Sequence, residues 1–109
     1  MQKTAIALAL ALLGCGSFRI DVSGPPAGDD RSELWLLEDA ACPATAAEAT
    51  SAIRTVRAID DESDLGSLSR GRQAVAIVRR GLDCTITAYG CAIVSPKPGS
   101  SAALTLVAE

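Results

Sequence analysis

Four cysteines, Cys15, Cys42, Cys84 and Cys91, are the side chains best suited to covalent chemistry in this sequence, and no histidine accompanies them. A thiolate can serve as nucleophile, redox partner or metal ligand. As a nucleophile it needs a nearby base, most often histidine. The missing histidine also removes the commonest general base and the imidazole ligand of zinc. A serine hydrolase is no better supported, because no Gly-x-Ser-x-Gly elbow occurs. Three further groups invite a chemical reading. Asp60, Glu62 and Asp64 match the first ligand spacing of a calcium loop, but Leu65 stands where the sharp-turn glycine belongs and Gly71 where the bidentate glutamate belongs. A solvated acidic loop is the expectation there. Arg70 with Arg72, and Arg79 with Arg80, suit either an anion-binding edge or soluble strand ends. Trp35 and Tyr89 suit either sugar stacking or a place in the core or its rim, and their wide separation favours the core or rim.

Cys15 has a setting unlike the other three. Lys3 is followed by an uncharged stretch from Thr4 to Leu13, which ends on Gly14 and Cys15. That stretch is shorter than the roughly 20 apolar residues of a transmembrane helix. Its basic, then apolar, then small order is that of an export signal. Leu12-Leu13-Gly14-Cys15 resembles the lipobox of bacterial lipoproteins. The resemblance implies cleavage between Gly14 and Cys15, lipidation of Cys15 and attachment to a cell-envelope membrane. Residue 16 is glycine rather than aspartate, and in such proteins that implies the outer membrane more than the inner. Several acyl chains at about 0.8 kcal/mol per buried CH₂ make a lasting anchor. The alternative is a plain signal peptide with Cys15 an ordinary thiol.

The chain has 109 residues, so one domain is expected. Phe18, Trp35 and Tyr89 are its only aromatics, so the core must be aliphatic and rich in alanine, and covalent reinforcement is useful. With 10 basic and 13 acidic residues, the whole chain exerts no long-range attraction on nucleic acid or anionic headgroups. Nucleic acid is therefore excluded as an expected partner.

The elements that would position these groups read mostly as strands. Residues 18–22 alternate apolar and charged, the pattern of a half-buried strand. A Gly/Pro/Asp-rich loop follows over 23–30. Residues 33–38 and 74–78 are apolar runs suited to strands buried on both faces. Thr45-Ala46-Ala47-Glu48 fits a capping box and predicts a helix of about two turns. Residues 54–59 read as a strand. Residues 84–89 and 91–94 form strand segments interrupted at Gly90, where a bulge or turn is expected. Residues 102–107 close the chain, with Leu104 and Leu106 on one face.

The second half resembles the transthyretin-like or carboxypeptidase-regulatory-like β-sandwich of small bacterial lipoproteins. The resemblance rests on Leu65-Gly66-x-Leu68-x-x-Gly71, on Asp83-Cys84 with Tyr89-Gly90-Cys91, and on the last alternating strand. It implies a seven-stranded Greek-key sandwich and no catalytic residues. The expected fold is therefore all-β, prealbumin-like or immunoglobulin-like, with at most one short helix. Residues 1–14 are the expected signal peptide. Residues 15–32 carry the lipidated N-terminus, first strand and loop, and residues 33–109 the rest of the domain.

If Cys15 is lipidated, three thiols remain for one bridge. Chain entropy favours a long loop, about 4 kcal/mol for Cys42–Cys84 against about 2.5 kcal/mol for Cys84–Cys91. Proximity favours Cys84–Cys91, provided the chain folds back at Gly90, and this is the expected bridge, with Cys42 as the alternative partner. The expected role is non-catalytic, towards an envelope protein or surface glycan and without a cofactor. The alternative is a small secreted redox or hydrolytic enzyme using Cys42, Cys84 or Cys91.

Overall fold

The computed structural model of the chain describes residues 18–109. Cys15, Gly14 and the expected signal peptide lie outside the described residues. Five strands form the main sheet: β2 (Arg31–Leu37), β3 (Ile53–Ile59), β4 (Gln73–Arg80), β5 (Ile86–Val94) and β7 (Val107–Ala108). Their order is β3-β2-β4-β5-β7, with every pairing antiparallel. A second sheet pairs β1 (Arg19–Ser23) with β6 (Ser101–Thr105) in parallel. One short helix, α1 (Ala46–Ala49), runs into a single 3₁₀ turn at Thr50–Ala52. The fold is thus mostly β, in two sheets, as the alternating runs predict.

The main sheet is covered on both faces. Leu34, Leu36, Val75, Ile77 and Val94 meet Ile20, Leu104 and Leu106 in the core between the sheets. Trp35, Leu37, Ala76, Val78 and Tyr89 point the other way, where Ala46 and Ala49 of α1 cover them. This explains why β4 has no polar alternation: residues 74–78 are all fully buried, as a strand covered on both sides must be. Small alanines at 46, 49, 74 and 76 let the helix lie close to the sheet, and the scarcity of large aromatics matches this spacing.

Strand β2 is antiparallel to both its neighbours, so β3 and β4 run the same way. Parallel strands need a crossover, and residues 60–72 supply it. Leu65 plugs the inter-sheet core from this segment, and Arg57 donates from Nη1 to its carbonyl at 3.0 Å.

α1 starts at the predicted N-cap, Thr45, but only half of the capping box forms, because the Glu48 carboxylate reaches the Ala44 amide and not that of Thr45. The Thr45 hydroxyl accepts from the Glu48 amide at 3.2 Å, and the Glu48 carboxylate accepts from the Ala44 amide at 3.2 Å. A helix this short has no independent stability, so packing and covalent ties must hold it.

Two expectations about β5 are corrected. The strand starts at Ile86 rather than Cys84, and it passes through Gly90 in register opposite Ile77. The irregularity lies instead at Arg79 and Arg80. Gly90 is needed for another reason: a Cβ there would sit 2.3 Å from the Thr105 carbonyl oxygen. The glycine marks the close approach of β6 to the main sheet, not a bend.

Candidate functional site

The disulfide joins Cys42 to Cys91, with a Cα separation of 5.7 Å. The expected Cys84–Cys91 bridge is therefore corrected. Without a fold-back at Gly90, Cys91 stays in mid-strand, and Cys84 lies beyond the strand's start. At about 3.3 Å per residue the two are roughly 20 Å apart. Cys91 faces the α1 side, and Cys42 lies in the segment that crosses that face. Tyr89, two residues away on the same face, donates its hydroxyl to the Pro43 carbonyl at 2.8 Å. Successive residues 42 and 43 are thus fastened to alternate residues of one strand. Burial of the ring raises the Tyr89 pKa above its ordinary 10.0.

Cys84 is the free cysteine among the described residues, and it is exposed. It sits in the hairpin loop 81–85 with φ of 71°, a left-handed conformation unusual for a non-glycine residue. Its amide donates to the Gly81 carbonyl at 2.9 Å, and its own carbonyl accepts from Arg80 at 2.9 Å. The nearby Asp83 carboxylate accepts from the Thr85 amide and hydroxyl, which holds its pKa below the usual value. No base is set against the thiol in these bonds.

The arginine pairs part ways. Arg79 is buried, although the sequence pattern places it at a strand end. It faces the inter-sheet side and closes that core. Its Nε and Nη2 each donate to Glu62 at 2.8 Å, and Nη1 donates to the Pro25 carbonyl. Ser32 adds a 2.6 Å bond to Glu62. The Arg79 guanidinium, chiefly by direct hydrogen bonding, pulls the Glu62 pKa below 4.5, and Glu62 raises that of Arg79. Thr87 donates to Asp30 at 2.6 Å alongside. This cluster ties the crossover and the Gly/Pro loop to β4. It underlies an open depression of about 740 Å³ lined in part by Gly28, Asp30, Ser32 and Glu62. Arg80, on the opposite face, pairs with Glu33 at 3.2 Å. Glu33 in turn accepts from the Trp35 indole at 3.0 Å.

The acidic run is therefore only partly the solvated loop expected. Glu62 is committed to Arg79, while Asp61 accepts from Ser63 and has a lowered pKa, mainly from the Ser63 hydroxyl. Asp64 accepts from the Gly66 amide at 3.2 Å. Among the described residues no three acids, cysteines or histidines converge as metal ligands. Trp35 and Tyr89 are both core residues.

A second open depression, of about 380 Å³, lies between the crossover and the β5–β6 loop. Phe18, Leu68, Pro96 and Pro98 line it together with Arg70 and Lys97. Sequence reasoning identified Arg70 but missed Lys97 and Phe18, which only the fold brings together. Among the described residues no helix is long and apolar enough to cross a membrane. No family model matches this chain, and neither a curated protein nor a solved structure does.

Proposed function

We propose that the chain is a bacterial lipoprotein which holds a non-catalytic β-sandwich domain on a cell-envelope membrane through acylated Cys15. The observation that carries this reading is the basic, apolar and small order of residues 3–15 ending on Leu12-Leu13-Gly14-Cys15. The Cys42–Cys91 bridge supports it, because disulfides persist in oxidising compartments such as the bacterial periplasm. The bridge also leaves Cys15 and Cys84 outside it, which frees the first for modification. The groups that suggest a calcium loop, an anion-binding edge or sugar stacking in the sequence have structural work here: Glu62 and Arg79 seal a core, and Tyr89 anchors a loop. We further propose that the two sheets form a Greek-key sandwich of the transthyretin-like kind, with α1 added on the outer face. Such a domain presents its surface to an envelope protein or glycan on the outer-membrane side of the envelope.

Mass spectrometry of the mature protein, expressed as the full chain in a Gram-negative host, tests the anchor. The expected species begins at Cys15 and carries acyl mass. Cys15→Ser is expected to release the domain or block processing. A secreted chain of unmodified mass would overturn the reading.

A further inference from the structure

We infer that the end of the domain bearing Phe18, Arg70 and Lys97 lies against the anionic lipid headgroups of the membrane that holds Cys15, an orientation that rests on the lipoprotein reading above. Chain length limits the geometry first. Phe18 is the third residue after Cys15, and three extended residues span at most about 11 Å. The part of the domain nearest Phe18 is therefore held within a headgroup layer's thickness of the acyl chains. Phe18 lines the smaller depression, and so do Arg70 and Lys97.

Charge is the second constraint. Arg70, Arg72 and Lys97 are exposed, and the two ion pairs among the described residues use Arg79 and Arg80 instead. The acid in the lining, Asp64, has one oxygen occupied by the Gly66 amide. The chain's net charge of −3 hides this group of three exposed cations, which shares its end of the main sheet with the exposed Glu38 and Asp39 that follow β2. Asp83 and the hairpin loop lie at the far end of β4, an eight-residue strand that begins just after Arg72. Eight residues at about 3.3 Å each put that loop roughly 25 Å away. This exceeds two Debye lengths at 0.1 M salt, so its carboxylate is screened from a surface at the Arg70 end. Lysine and arginine held at an anionic surface strengthen binding individually. Phe18 and the two prolines supply an apolar floor at headgroup depth.

The test uses the mature chain with Cys15→Ser, so that no acyl group contributes. It is titrated in 0.1 M salt with vesicles of phosphatidylcholine alone, and with vesicles one-third phosphatidylglycerol. Binding is expected only to the anionic vesicles and is expected to vanish at 0.5 M salt. Arg70→Glu combined with Lys97→Glu should weaken it at least about tenfold. Arg31→Glu, near the opposite end, should leave it within about twofold. Trp35 emission reports that each variant is folded, and Arg70→Gln with Lys97→Gln provides a milder pair should the glutamates disturb it. Equal binding to both vesicle types, binding to neither, or equal loss from Arg31→Glu overturns the orientation. Acylation is read separately from the mass of the native mature chain. An acylated chain without headgroup preference keeps the anchor and removes the orientation. An unacylated chain that prefers anionic vesicles keeps the basic face and removes the tether.

Discussion

Arg79 is costly to bury, and its two bonds to Glu62 with a third to Pro25 offset that cost. Glu62→Gln should destabilise the domain by about 2 kcal/mol at pH 7, the range for a hydrogen bond to a charged group. The sign with pH follows from the lowered Glu62 pKa. The pair's contribution is fully present above pH 4.5 and is lost as pH falls through the lower folded value. Urea titrations should therefore show the difference between Glu62→Gln and the parent shrinking below pH 4.5. Backbone constraints give two more expectations. Gly90→Ala must displace the Thr105 carbonyl or the Leu104 side chain, which should cost about 1–3 kcal/mol as overpacking does. Cys84→Gly should raise stability by about 1 kcal/mol, because it relieves a left-handed residue at φ of 71°. Thermal unfolding of the two variants should show shifts of opposite sign.

At the scale of elements, the 38–52 segment depends on the Cys42–Cys91 bridge more than on its own helix. The bridge closes 49 residues of sequence separation, for which loop-closure entropy gives about 4 kcal/mol. Cys42→Ser with Cys91→Ser should loosen this segment and uncover Trp35, the chain's only tryptophan, which packs beneath Ala46 and Ala49. Red-shifted emission and stronger iodide quenching, with the far-ultraviolet strand signal retained, are the expected readout. Local patterns made most elements legible beforehand. The capping box at Thr45 and Glu48 and the double-faced runs at 33–38 and 74–78 specify local conformation directly. The bridge was not legible, because its partner choice turns on whether Gly90 bends the chain. In fact Gly90 accommodates a neighbouring strand, a long-range cause that no local pattern records. The Arg79–Glu62 pair was hidden likewise, since it depends on where the crossover passes.

For the molecule as a whole, β4 and β2 each have a neighbour on both sides and cover on both faces, while β3 lies at the sheet's edge with Val56 half exposed. Native-state hydrogen exchange should therefore find the slowest amides in β4 and β2 and faster ones in β3 and β7. Comparable protection in β3 and β4 would contradict this layering. The parallel pairing of β1 with β6 sets the order of events during synthesis. Ile20 is opposite Ala102, so β1 has no partner strand until residues 101–105 have been made. The hairpins of the main sheet can form much earlier, at translation rates of about 5–20 residues per second. For about 1–5 s after β4 is made, Leu34, Leu36, Val75 and Ile77 then lack the cover of β6. A cell making this chain has to keep that face from other chains over the interval. Any truncation that removes β6 makes the exposure permanent, so nonsense variants lacking residues 101–109 are expected to aggregate rather than persist as smaller domains.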